Sequence, residues 1–457
     1  MLAYAVVNPT TGETVAEYPT MTDAEVSQAI AAADDAYRSW GRKTTVAERA
    51  ALVQRVADLH LERRDELAHI IAREMGKPLA EALEEVDFSA DIYSYYATNG
   101  EEFLKQEEIP TDDGGRAFVR REPIGVLLGI MPWNFPYYQV ARFAGPNLVL
   151  GNTVLLKHAE QCPESALAIA SMMKEAGLPE GAYTNLFATH DQVADIIADP
   201  RVQAVSVTGS ERAGAAVAQI AGRNLKKVVL EMGGSDVLLV LDTSDIDSAV
   251  ETAAAGRIGN TGQACNASKR VVVLDKYFDE FAEKFSATMS AFAPTDPTAE
   301  GAELGPLSSE KATANLKQQV DAALAQGATS LTGDIKVDGN FFSPAVLTDV
   351  TPDMDAFKEE LFGPVAVLYK VSSDEEAVRL ANSSPFGLGS VVICEDEERA
   401  IKVGSELEVG MVFINGVNLD AAQLPFGGVK RSGFGRELGR FGIEEFQNKK
   451  TFRFAPK

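Results

Sequence analysis

Apolar positions recur at three- and four-residue spacing between residues 22 and 104, and that period predicts helix. Thr22-Asp23-Ala24-Glu25 has the form of a capping box, with Thr22 as N-cap and Glu25 three residues on. Val26, Ile30 and Ala33 then mark one face, and residues 50 to 71 repeat the period with charged residues opposite. Residues 8 to 12 read as a turn. Pro110, Asp112-Asp113-Gly114-Gly115 and Ala117-Phe118-Val119-Arg120 read as a turn feeding a β-ribbon.

From Pro123 the pattern changes to short apolar runs alternating with amphipathic segments. Strands are predicted at 124 to 131, 153 to 156 and 204 to 208, and helices at 138 to 150, 163 to 176 and 210 to 221. This alternation argues a doubly wound parallel sheet. A second cycle starts at Val228, with strands at 237 to 241, 270 to 274 and 365 to 369. Its helices fall at 245 to 258, 275 to 292, 309 to 326 and near 374 to 382, making a second α/β unit. The tail from 447 to 454 alternates as a strand and needs an edge to pair with; the 117 to 121 ribbon of another subunit is the expected edge.

The 457 residues are enough for two or three folded units. A net charge of −25, from 42 basic and 67 acidic residues, argues against nucleic acid or an anionic membrane as partner. Cys162, Cys265 and Cys394 are isolated, with no C-x-x-C, so neither a metal site nor a disulfide framework is expected. The N-terminus lacks a basic n-region and breaks at Pro9, and no apolar run approaches the roughly 20 residues of a membrane span. The expectation is a soluble cytoplasmic protein.

Five segments carry chemistry. Asn260-Thr261-Gly262-Gln263-Ala264-Cys265 puts a thiol among small residues that let a substrate approach. Cys265 is either a nucleophile or a small buried hydrophobe, and no histidine lies near it in sequence. Leu230-Glu231-Met232-Gly233-Gly234 offers a carboxylate on a glycine turn, either a general base free to swing or an ion-paired glutamate. Met131-Pro132-Trp133-Asn134-Phe135-Pro136 holds an amide between prolines and aromatics, suited to an oxyanion hole or to a plain turn. Thr208-Gly209-Ser210 opens a helix whose free N–H groups suit a pyrophosphate, as do many empty βα turns. Lys157-His158-Ala159-Glu160 ends a strand, where Lys157 and Glu160 either bind ribose hydroxyls or form a solvated pair.

Taken together and in order, these segments resemble the aldehyde dehydrogenase superfamily. Glu359-Glu360-Leu361-Phe362-Gly363-Pro364 and Pro425-Phe426-Gly427-Gly428-Val429-Lys430 add to the likeness, which runs from about residue 5 to about 453. The Lys-His-Ala spelling and the Gly-Gly-Val-Lys-Arg-Ser-Gly-Phe-Gly-Arg-Glu run look like bacterial succinate-semialdehyde dehydrogenases. The resemblance implies a Rossmann-like cofactor domain (1–107 and 122–229, with 418–440 returning to it), an α/β catalytic domain (230–417) and a small oligomerisation β-sheet (108–121 and 441–457). It implies a homodimer or homotetramer.

By the same likeness Cys265 attacks an aldehyde, while the Asn134 side chain and the Cys265 N–H hold the oxyanion. Glu231 activates the water that releases the acid. Cofactor-binding residues are Trp133, Lys157, Glu160, Gly209, Ser210, Glu360 and Phe362, with Glu360 on the nicotinamide ribose and Phe362 beside the ring. The implied cofactor is NAD or NADP. Glu160 favours NAD, since a carboxylate accepts a 2′-hydroxyl and repels a 2′-phosphate, unless Lys157 and His158 offset it. Arg142, eight residues after Asn134, is placed to meet the carboxylate of succinic semialdehyde or else to make a structural ion pair. A second arginine six residues before the cysteine is replaced by Gly259. The expected reaction is oxidation of succinic semialdehyde to succinate, with another aliphatic or aromatic aldehyde as the alternative. A CoA-acylating enzyme would not need Glu231, and a non-catalytic relative would not need all of Cys265, Asn134 and Glu231.

Overall fold

The helical period between residues 22 and 104 resolves into four helices: Asp23–Ala36, Val46–Glu62, Arg64–Met75 and Leu79–Phe103. They belong to a computed structural model that describes residues 4–456; Met1 to Ala3 and Lys457, at the ends of the first and last spans drawn from sequence, lie outside the described residues. The capping box forms, with the Glu25 carboxylate accepting the Thr22 N–H at 2.7 Å, and Thr45 and Glu48 repeat the device. The first break falls at a π turn, Tyr37–Gly41, the second at Arg63, and the third at Gly76, whose left-handed φ of 78° ends the third helix.

Two sheets organise the rest. The first has six strands in the order Gly433–Phe434, Lys227–Met232, Val202–Gly209, Val126–Met131, Thr153–His158 and Tyr183–Asn185. Only the Gly433–Phe434 pairing is antiparallel. Apolar clusters cover both faces, so each buried valine or leucine of these strands adds about 1.5–3 kcal/mol. The second sheet orders Thr329–Ser330, Ala345–Thr348, Val365–Val371, Ser268–Leu274, Asp236–Val240, Gly389–Ile393 and Met411–Ile414. The strand carrying Glu231 lies wholly in the first sheet, and residues 233–235 lead from it to the Asp236–Val240 strand of the second.

The expected partner of the tail strand is corrected by the structure. Gln447–Phe454 pairs antiparallel with Arg116–Pro123 of the same chain, from Gln447 opposite Pro123 to Phe454 opposite Arg116. Phe118 stacks on Phe452 at 4.8 Å, the kind of cross-strand aromatic pair that fixes register. Among the described residues no helix is long and apolar enough to cross a membrane.

Parallel register brings Met131, His158, Gly209 and Met232 to one carboxyl edge of the first sheet. The turn holding Cys265 immediately precedes Ser268–Leu274 of the second sheet. The edge and the turn face each other.

Candidate active site

Cys265 is half-buried on the wall of a cavity of about 340 Å³, which Tyr138, Phe135, Phe426, Asn266 and Asp420 also line. The chain enters this turn in an unusual conformation: Asn260 and Thr261 both have left-handed φ, 54° and 55°. Side chains hold it there. The Asn260 amide donates to Asn134 O at 2.9 Å and Gln263 O at 3.1 Å, and its N–H donates to Glu81 at 2.7 Å. Gly262 follows at φ 71°, with the Gly363 carbonyl occupying the space a Cβ would need. Burial pushes the Cys265 thiol up to about 12, against the opposing charges of Arg142 and Lys269.

Asn134 is buried, and its side-chain amide donates to Gln263 O at 3.0 Å. That bond spans 129 residues and sets the amide beside the cysteine turn. An amide nitrogen carries two donors, so one remains beyond the bond to Gln263 O.

Glu231 packs against Gly427, with its Oε1 2.7 Å from where a Gly427 Cβ would lie. Among the described residues its carboxylate has no hydrogen-bond partner. Burial, and then the neighbouring Glu437, push it well above the usual carboxylate range, against Arg142 and Arg436. Gly233 and Gly234 are not the free swivel that the sequence suggested. Neither has a positive φ; a Cβ on Gly233 would strike the Glu360 carboxylate, and one on Gly234 would lie 2.7 Å from Cys265 O. These glycines serve close packing.

Arg142 makes an ion pair, one of its two readings from sequence. It is fully buried, and its Nε lies 2.7 Å from Glu437 Oε2. Its guanidinium donates to Gln139 Oε1 at 2.5 Å and to the Tyr138 hydroxyl at 3.2 Å, and it stacks on Tyr138 and Phe426. Burial works against its charge, but Tyr138, Glu437 and Glu231 outweigh that and keep it protonated. Glu437 is a buried acid 295 residues away, a partner that sequence spacing does not reveal. The cavity itself is acidic, lined by Glu81, Glu84, Glu85 and Asp420.

On the far side of the carboxyl edge, Lys157 pairs with Glu160, and His190 Nε2 lies 3.4 Å from the same carboxylate oxygen. Burial pushes the Glu160 carboxyl up, but Lys157 and its hydrogen bond bring it below the ordinary value. His158 cannot assist Lys157. It points inward to Pro136 O at 3.0 Å, and burial lowers it to about 4, leaving it neutral. Tyr4, Glu160, Ala188 and His190 line a recess of about 230 Å³. Gly209 has open space where a Cβ would lie, and the buried Thr208 hydroxyl beside it has no partner among the described residues. Ser210 caps the following helix through Ala213 N–H. Trp133 and Phe362 meet edge to face at 5.7 Å. Glu360 accepts the Gly234 N–H at 3.1 Å. An orphan hydroxyl, an uncovered helix start and a carboxylate at each end fit a dinucleotide.

Sequence reasoning missed Lys269, Arg257, Glu437, Asp420 and His190. Arg257 ties the cysteine turn to the 361–365 segment, donating to Leu361 O at 2.7 Å and Val365 O at 2.8 Å. A lysine beside an arginine inside the buried run Ser-Lys-Arg-Val-Val-Val-Leu was a readable signal, because charges are buried only with partners.

Comparison with known proteins agrees with this geometry. The sequence profile of the Aldehyde dehydrogenase family matches residues 2–452. The NADP(+) succinate-semialdehyde dehydrogenase of Deinococcus radiodurans is 55% identical over 455 residues, 99% of this chain and 95% of that protein. Its counterpart from Mycobacterium avium is 44% identical over 98% of this chain and 96% of that one. Among solved structures, succinic semialdehyde dehydrogenase from Streptococcus pyogenes in complex with NADP+ is 40% identical, with a TM-score of 0.97 and 100% of each chain covered.

Proposed function

This chain belongs to the aldehyde dehydrogenase family, and from that premise we propose that it oxidises succinic semialdehyde to succinate with a nicotinamide dinucleotide as acceptor. The observation that carries the reading is Cys265 on the cavity wall, with the Asn134 amide held beside its turn and a cofactor-shaped edge behind it. The relatives' names support the substrate.

The Cys265 sulfur attacks the aldehyde carbon as a thiolate. The free donor of Asn134 and the Cys265 N–H hold the oxygen of the thiohemiacetal, and loss of one such donor costs about 3–4 kcal/mol of transition-state stabilisation. The dinucleotide, when bound, supplies the two-electron acceptor that takes this adduct to the thioester. Glu231 then turns from its place against Gly427, takes a proton from water and releases the acid. Trp133, Lys157, Glu160, Gly209, Ser210, Glu360 and Phe362 would hold the cofactor. Glu160 supports NAD over NADP, because its carboxylate already consumes the Lys157 charge and His158 is neutral.

The substrate carboxylate meets the Tyr138 hydroxyl, which accepts from Arg142 and so keeps its own proton to donate. Asp420 favours a second reading, an uncharged aliphatic or aromatic aldehyde, because it adds a negative charge to the same cavity. Steady-state rates on succinic semialdehyde, butanal and benzaldehyde, each with NAD and NADP, separate the two. A succinic semialdehyde kcat/KM at least about tenfold above the others supports the first reading.

The domain spans 1–107 and 122–229, with 418–440 returning, are the cofactor unit in this reading; 230–417 is the catalytic unit, and 108–121 with 441–457 an oligomerisation segment. The pairing of Gly433–Phe434 with the Glu231 strand supports the return. Exposed Phe441 and Phe454 support a homodimer or homotetramer, and three unpaired cysteines support a cytoplasmic location.

A further inference from the structure

Lys269 stands four residues after Cys265, in a strand whose seven residues are all buried, and it is itself 1% exposed. An ammonium has three donors. Here they meet Ala264 O at 2.6 Å, Cys265 O at 2.5 Å and Glu360 Oε1 at 3.1 Å. The Gly234 N–H donates to the same Glu360 oxygen, and Gly234 in turn abuts Cys265 O. The segments 233–235, 264–269 and 360–362 therefore converge on one cation. Two carbonyls could be satisfied by a neutral amide without the cost of burying a charge, so the charge needs its own explanation.

We propose that Lys269 is a positioning residue that couples occupancy of Glu360 by the cofactor ribose to the orientation and charge of Cys265. This rests on the reading of Glu360 as the ribose-binding carboxylate and Cys265 as the nucleophile. The charged groups facing Lys269 are Glu360 and Asp236, a buried acid that burial pushes up to about 7 against the Lys269 charge. With Glu360 free, its carboxylate neutralises the ammonium. Ribose hydroxyls donating to Glu360 disperse that negative charge and leave the Lys269 field on the Cys265 carbonyl and sulfur. The thiolate is then favoured when the cofactor is in place, and the turn is held by the same contact. A thiol that is unreactive in the empty enzyme and activated on cofactor binding is protected from stray electrophiles.

The test is the rate of iodoacetamide alkylation of Cys265 in the full-length protein at pH 8, read by intact mass with and without saturating NAD. Cofactor dissociation constants are measured alongside by fluorescence. Lys269→Met and Lys269→Gln should slow alkylation of the cofactor-free enzyme about tenfold, the size of one unit of thiol pKa, while Lys269→Arg stays within about threefold of wild type. The ratio of rates with and without NAD should differ from wild type by about fivefold or more in Met and Gln and return with Arg. If the Met variant does not fold, Gln, which keeps a neutral donor in the same channel, reads the same ratio. A folded, NAD-binding Gln variant with the wild-type rate and ratio overturns the coupling. Glu360→Gln separates the two layers. If it leaves the NAD dissociation constant unchanged, the ribose reading fails and the coupling with it. If it weakens NAD while Lys269→Gln keeps the wild-type ratio, only the coupling fails.

Discussion

Arg142 Nε lies 2.7 Å from Glu437 Oε2; both residues are buried, and the Arg142 guanidinium stacks on Phe426. Arg142 contacts three residues that line the cavity, Tyr138, Gln139 and Phe426. The pair also sets the charge around Glu231, since Arg142 and Glu437 act on that carboxyl in opposite directions.

Removing the cation leaves Glu437 buried and unpaired. Arg142→Met is therefore expected to destabilise the protein by about 3–5 kcal/mol. A urea titration checks this against Arg142→Met/Glu437→Met, which should recover most of the loss. A single variant as stable as wild type would show that the ion pair contributes little.

In the proposed function, substrate charge is read inside the cavity by Tyr138 and Asp420, which both line it. Asp420→Asn removes a negative charge whose carboxyl burial already pushes up, and should raise kcat/KM for succinic semialdehyde about three- to tenfold, with butanal unchanged. Tyr138→Phe should lower the same parameter about tenfold, again sparing butanal. Equal effects on the two aldehydes would place the carboxylate elsewhere.

Cofactor choice is expected to follow Glu160. Glu160→Ser releases Lys157 from its ion pair and removes the charge facing a 2′-phosphate. The ratio of kcat/KM for NADP to that for NAD should rise about tenfold or more, in line with like-charge repulsion of about 1–4 kcal/mol near 4 Å. An unchanged ratio would exclude Glu160 from the 2′-site.

The pH dependence of the empty enzyme follows from burial. Because the Cys265 thiol is pushed up to about 12, its thiolate fraction, and with it the alkylation rate, should rise about tenfold per pH unit from 7 upward. No plateau is expected below about pH 11. A plateau near 8, measured without cofactor, would mean a thiol activated before anything binds.

Much of this was legible in the chain. Alternation from Pro123 onward gave the strands at Val126–Met131, Thr153–His158 and Val202–Gly209, because strands buried on both faces leave continuous apolar runs. The motifs also gave Cys265, Asn134 and Glu231 as candidates. What sequence could not supply was pairing across distance. Glu437 claims Arg142, Arg116–Pro123 claims the tail within one chain, and Gly233–Gly234 admit Glu360 and Cys265 O. Short strands such as Ala345–Thr348 and Met411–Ile414 carry too few residues to show a period. His190 enters beside Glu160 from a separate strand–helix connection, with nothing in its own neighbourhood to announce it.

The covalent account is tested most directly by Glu231→Gln mixed with succinic semialdehyde and NAD and quenched in acid. The prediction is a single burst of reduced cofactor, about one equivalent per site, with the acyl mass localised to Cys265 and turnover slowed at least about a hundredfold. Continued turnover at the wild-type rate, or a burst with no adduct on Cys265, would contradict it.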